Sequence, residues 1–313
     1  MRRTLIILTL LLTSMCTNAR TFTPDYGYQV EEIKVNGLNV AYIDEGDGPE
    51  TILFIHGLGG YIKHWVPVVD TLKQHYRCIV VDLPGYGHSQ NGAIRSDNIL
   101  NLFGETLFAL LDTLELDKVT LAGHSMGGQT AVLMALEHPE RVDRLILASP
   151  AGLETFTPQE AAALKPYSTP EFLKSQNEQA IRQSFALNFH EDMPAGTEEL
   201  IQDRLALKGT PLMDDYVRVV SAGVDGMLGA PVSDRLHELN MPVLVAFGSE
   251  DKLIPNRYLH PALTTRMVAE QGAEKIPDAF QVMVPEAGHM MPFEQPETLA
   301  KHIINFISDK PIH

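Results

Sequence analysis

Gly123-His124-Ser125-Met126-Gly127 is the segment of this 313-residue chain whose residue types and spacing suit covalent chemistry. It follows the apolar run KVTLA and precedes MGGQTAVLMALEH, which has a helical pattern. A serine hydroxyl is a weak nucleophile. It must project from a sharp strand-to-helix turn, with glycines on either side to relieve backbone crowding. The N–H of the next residue, Met126, then stands at a helix N-terminus and points at a developing oxyanion. A second glycine-rich turn, His56-Gly57-Leu58-Gly59-Gly60, follows the run TILFI and can bring the Leu58 N–H to the same point.

Such groups work only if regular elements hold them. Short, β-rich apolar runs recur along the chain: 51–57, 77–85, 118–125, 142–150, 241–248 and 279–289. They alternate with helical patterns, which predicts a mostly parallel sheet covered on both faces. Upstream, YQVEEIKV and LNVAYIDE flank Asn36-Gly37, a strong hairpin signal, so the sheet should open with an antiparallel pair. Ile99, Phe103, Leu107, Leu110, Leu111 and Leu114 share one face of a predicted helix, and Pro296 opens a last helix carrying Leu299, Ile303, Ile304 and Ile307. The alternation stops between 151 and 240. That stretch reads as helices over PQEAAALK, PEFLKSQNEQAIRQSFALNF, TEELIQDRLAL and DDYVRVVSAGV. It is too long for a loop and is expected to be an inserted helical cap.

With these pieces in order, the chain resembles the α/β-hydrolase superfamily, in its capped, esterase/lipase-like and C–C-hydrolase-like branch. HGLGG, DLPGYGHS, GHSMGG, FGSEDKLIP and PEAGHMMPFEQPE carry the resemblance from about residue 28 to 308. It implies an α/β fold with a mostly parallel eight-stranded sheet, built from 20–150 and 241–313, under a cap of 151–240. The family's chain order of nucleophile, acid and histidine directs the search for partners. It excludes His56, His88 and His124, which precede Ser125 or adjoin it. His289 follows the last run and Gly288, whereas His260, His302 and His313 read as exposed, solvated histidines. The resemblance puts the orienting carboxylate at Asp251, with Glu250 beside it as competitor. The loop after VDRLILASP offers no nearby acid. Asp82, in VVDLPG, resembles a family residue that braces the loops around the site.

The implied reaction is attack by Ser125 on a carbonyl, with His289 as base, Asp251 orienting it, and Leu58 and Met126 N–H groups holding the oxyanion. A carboxylic ester is the first expectation. C–C bond hydrolysis, peptide hydrolysis and perhydrolysis suit the same residues, and a non-catalytic small-ligand receptor on this scaffold is the alternative of a different class. For substrate contacts the sequence offers Gly57, Trp65, Phe156 and Met290, and in the cap Phe172, Phe185, Phe189, Met213, Tyr216, Met227 and Leu228.

Composition narrows the partners. Forty acids against 24 Lys and Arg give a net charge of −16, which argues against nucleic acid and anionic membrane surfaces. No His/Cys cluster has metal-ligand spacing, and the glycine-rich turns lack the residues of nucleotide-binding loops, so neither metal nor cofactor is expected. The expected substrate is a small neutral or apolar ester; oligomeric state is not indicated. Arg2 and Arg3 precede LIILTLLLTSM and then Thr17-Asn18-Ala19, the layout of a signal peptide over residues 1–19. Export to the periplasm or beyond is therefore expected, with no transmembrane span in the mature chain and its charge two units more negative. Cys16 offers a lipoprotein anchor as the alternative. Cys78, in RCIVVD, reads as a buried strand residue.

Overall fold

The computed structural model describes residues 22–90, 94 and 96–308; the expected signal peptide, with Cys16, and His313 lie outside them. Eight strands form one sheet in the order β1-β2-β4-β3-β5-β6-β7-β8. β1 (Glu31–Val35) and β2 (Leu38–Glu45) are the antiparallel hairpin, and Asn36 and Gly37 both take positive φ, 50° and 82°, as a tight turn between twisted strands requires. β2 also runs antiparallel to β4 (Arg77–Asp82). From there β4, β3 (Thr51–Ile55), β5 (Val119–His124), β6 (Val142–Ala148), β7 (Val243–Gly248) and β8 (Ala279–Val284) are all parallel.

The near-continuous apolar runs follow from burial on both faces. Along β3, Ile52 and Phe54 join one core and Leu53 and Ile55 the other; along β4, Cys78 and Val80 divide from Ile79 and Val81 in the same way. One core lies under α1 (Val66–Leu72) and the last helix, α11 (Pro296–Ile307), through Val68, Leu72, Leu299 and Ile303. The other lies under α2 (Ile99–Thr113), α3 (Met126–Glu137) and α9 (Thr265–Glu274), through Phe103, Leu107, Ala131 and Val268. Cys78 is fully buried, and burial pushes its thiol up to about 12, so it is an inert core residue. Among the described residues, no helix is long and apolar enough to cross a membrane.

Between β6 and β7 the chain leaves the sheet and runs through α4 (Pro158–Leu164), α5 (Pro170–Ser175), α6 (Glu178–Ala186), α7 (Thr197–Lys208) and α8 (Met213–Gly229). The stretch 170–189, read as one helix, divides in two. Gln176 turns to ψ 124°, and the Asn177 side chain accepts the Ala180 N–H to start α6 afresh. A short α10 (Met291–Glu294) precedes α11.

Candidate active site

β5 ends at His124 and α3 begins at Met126, leaving Ser125 alone at the turn with φ 53° and ψ −119°. A serine seldom takes that conformation, and the surroundings enforce it. Its N–H donates to the Ala148 carbonyl at 3.0 Å, and its own carbonyl accepts from Gly128 at 2.9 Å and Ala151 at 3.0 Å. The flanking glycines answer to close packing. A Cβ on Gly123 would lie 2.3 Å from the Gly127 carbonyl oxygen, and one on Gly127 would lie 2.3 Å from that of Ile55. Those atoms are backbone and cannot yield, which is the steric content of the Gly-x-Ser-x-Gly spacing.

His289 comes from the loop after β8 and Asp251 from the loop after β7, and both are buried. His289 Nδ1 donates to Asp251 Oδ2 at 2.8 Å, leaving Nε2 as the nitrogen able to take a proton. Asp251 Oδ1 accepts the N–H groups of Leu253 and Ile254 at 2.8 and 3.0 Å. Burial raises the Asp251 pKa, but the imidazole and these N–H donors outweigh it, so the carboxyl is held below its ordinary value and stays ionised. Glu250 is exposed, so the choice left open between the two acids falls to Asp251. His124 Nε2 donates to the His289 carbonyl at 2.9 Å and ties the histidine loop to the serine turn. Burial, with His289 nearby, lowers His124 to about 3, so it remains neutral.

The glycine-rich turn after β3 abuts the serine: a Cβ on Gly57 would lie 3.0 Å from that of Ser125. The Gly57 carbonyl accepts the Gly60 N–H at 3.0 Å and His56 Nδ1–H at 2.8 Å, while His56 Nε2 accepts the Leu83 N–H at 3.0 Å. Burial lowers His56 to about 4, which keeps that neutral tautomer. Asp82 sits below, fully buried, accepting from the Tyr26 hydroxyl and the N–H groups of Ile62 and His88, each at 2.7 Å. It braces two loops and reaches no reacting atom, as its resemblance implied.

Two cavities meet at Ser125 and His289. The first, about 250 Å³, is walled by Phe156, Leu164, Val224, Met227 and Leu228. The second, about 360 Å³, is more polar and is lined by His64, Gln176, Asn188 and Arg204 together with Gly57, Leu58 and Met290. Gly57, Phe156 and Met290 therefore border the cavities, as do Phe185, Tyr216, Met227 and Leu228. Trp65 does not. It is fully buried, packs on Phe54 with ring centroids 5.1 Å apart, and donates its indole N–H to the Ile55 carbonyl. Its place beside a glycine-rich loop concealed a core residue that needs one polar partner. Phe189 and Met213 are likewise interior, and Phe172 faces outward, 39% exposed.

Two further expectations need correction. The loop after β6 does carry an acid, Glu154, at the wall of the first cavity. Its carboxylate is occupied, accepting the Asn256 N–H and the Nδ1–H of His260. Burial raises its pKa, more than these donors lower it. His260 is accordingly a bridging residue between Glu154 and Glu160 rather than a solvated one, and His302 is half-buried. Arg204 was missed altogether. Its signal was a cation on the buried stripe of α7, four residues after Leu200 and three before Leu207.

Against known proteins, residues 50–296 match the family model described as alpha/beta hydrolase fold. A 2-hydroxy-6-oxononadienedioate/2-hydroxy-6-oxononatrienedioate hydrolase of Paraburkholderia phymatum is 33% identical over 70% of this chain and 76% of its own. The pimeloyl-[acyl-carrier protein] methyl ester esterase of Pectobacterium carotovorum is 30% identical over 84% of this chain and 96% of its own. The dihydrolipoyllysine-residue acetyltransferase component of the acetoin cleaving system of Pseudomonas putida is 30% identical over 84% of this chain. This chain spans only 64% of that protein's length. The family match covers well over half of the residues and agrees with the sheet order and the serine turn: the chain belongs to the α/β-hydrolase family.

Proposed function

We propose that the protein is a serine hydrolase of small carboxylic esters, working through Ser125, His289 and Asp251. His289 Nε2 takes the Ser125 proton as Oγ attacks the ester carbonyl, and the N–H groups of Leu58 and Met126 hold the oxyanion. Protonated His289, held by ionised Asp251, then gives its proton to the leaving alcohol. Water, deprotonated by the same histidine, releases the acid from the acyl-enzyme. The observation that carries the reading is the strained Ser125 turn sharing both cavities with a histidine oriented by a buried carboxylate. The apolar wall of the first cavity suits the acyl chain, and the second suits the alcohol portion.

A panel of p-nitrophenyl esters of increasing acyl length tests this. Turnover of short or medium chains, absent in Ser125→Ala, supports it; no turnover of any ester by folded protein rejects it. The dienedioate hydrolase relative supports a second reading, cleavage of a C–C bond beside a carbonyl by the same residues. Preference for a 2-hydroxy-6-oxo-dienoate over every ester in the panel would favour it.

A further inference from the structure

We propose that Arg204, on α7, with Tyr216, on α8, sets the position of the Leu58 N–H from outside the core, through two peptide groups. This rests on the role given to Leu58 above. Arg204 Nη2 donates to the Gly59 carbonyl at 2.7 Å, and the Tyr216 hydroxyl donates to the same oxygen at 3.3 Å. The Arg204 guanidinium lies over the Tyr216 ring, 4.6 Å from its centroid, so the two donors hold each other in place. The Gly59 carbonyl and the Gly60 N–H belong to one planar peptide and point in opposite directions. The Gly60 N–H donates to the Gly57 carbonyl, and that carbonyl shares its peptide with the Leu58 N–H. Pulling on the Gly59 oxygen thus orients the Gly60 N–H, which orients the Gly57–Leu58 peptide and the oxyanion donor on its far side.

The turn needs such a hold. Gly59 sits at φ 70°, and a Cβ there would lie 2.9 Å from the Tyr216 hydroxyl, so only glycine lets the cap approach the carbonyl this closely. His56 grips the Gly57 carbonyl from the core side; Arg204 and Tyr216 act from the cap side. The rest of α7 is fastened to the residues that follow. The Tyr61 hydroxyl donates to Asp203 at 2.7 Å, and Lys63 pairs with Glu199 at 2.8 Å and Asp203 at 3.5 Å. A cap seated on the sheet therefore completes the oxyanion site, and a displaced cap releases it. Arg204 is a positioning residue: it acts on the oxyanion through the turn.

The test compares Arg204→Met, Arg204→Lys and Tyr216→Phe with the parent on a neutral p-nitrophenyl ester and on a carboxylate-bearing one. It adds the affinity of an alkyl boronic acid. In that adduct a bond forms between Ser125 Oγ and boron, the serine proton passes to His289, and one boron-bound oxygen occupies the oxyanion position. Arg204→Met should lower kcat about 10–100-fold on both esters, with KM changed less than about threefold, and weaken the boronate by a similar factor. Arg204→Lys should recover part of the loss, and Tyr216→Phe should cost about two- to fivefold. Circular dichroism and melting confirm that each variant is folded; Tyr216→Phe, which removes one hydroxyl, decides if Arg204→Met is not. Unchanged kcat and boronate affinity in the folded variants would overturn the proposal. So would a loss confined to the carboxylate-bearing ester, since Arg204 would then be gripping substrate. Failure of the catalytic reading shows separately, as ester turnover that survives Ser125→Ala.

Discussion

The two sides of this site are held by different kinds of contact. Beneath it, Ser125, Asp251 and His289 stand on turns at the ends of β5, β7 and β8, where neighbouring backbone leaves no room for alternatives. Above it, α4 and α5 bury no residue fully and α6 buries only Ile181. α7 and α8 do pack inward, through Ile201, Leu207, Val217 and Val220, but the outer part of the cap is tied by exposed ion pairs, such as Arg182 with Glu198 at 2.7 Å and Lys165 with Asp225 at 2.9 Å. Exposed pairs contribute little, because water screens them and two long side chains lose freedom to form them. Close packing thus specifies the reacting groups, and the outer helices α4–α6 can change their residues at small cost to the fold. Arg204 and Tyr216 are where the two regimes meet.

This contrast can be broken at graded points. Ser125→Ala should lower kcat by about 10⁴–10⁶-fold with the fold intact, measured by ester turnover and circular dichroism. Asp251→Asn should cost about 10³–10⁴-fold, because the amide cannot hold His289 with its proton on Nδ1. Gly127→Val should destabilise by about 3 kcal/mol or more in urea unfolding, since its Cβ meets the Ile55 carbonyl. Leu228→Trp, which fills the apolar cavity, should leave the shortest ester nearly unaffected and raise KM for longer acyl chains several-fold. Arg182→Ala, in the cap's exposed network, should not move the melting temperature beyond replicate scatter.

Acid should act on the core side. His56 and His124 are held near 4 and 3, far below the ordinary 6.5 they regain on unfolding. Between pH 6.5 and about 4 the unfolded chain binds the extra protons, so stability is complete above 6.5 and falls as the pH drops. These two groups contribute a slope of about 2–3 kcal/mol per pH unit near pH 5, read from denaturant midpoints; His64, also lowered by burial, adds to it, and Asp82, raised by burial to about 6, opposes it. A profile that stays flat or rises toward acid would contradict the expectation that the lowered imidazoles outweigh Asp82.

What the sequence made legible follows the same division. Strands buried on both faces announce themselves as continuous apolar runs, and the Asn36-Gly37 hairpin as a pair of turn formers. The serine turn was legible because steric demand permits few residues at positions 123 and 127. Trp65 misled because a large apolar residue beside a functional loop has the same local pattern whether it faces the cavity or the core. Glu154, His260 and Arg204 were misread or missed because their roles depend on partners 102, 106 and 145 positions away, respectively, which only the folded chain brings together. Periodicity reports which face of a helix is buried; it does not report which carbonyl a half-buried arginine will find.

The most direct measurement of the central claim is active-site labelling with a fluorophosphonate, followed by intact-mass and peptide analysis. One adduct per chain is expected, on Ser125, and none in Ser125→Ala. Folded protein that takes up no label, or carries it on another residue, would contradict it.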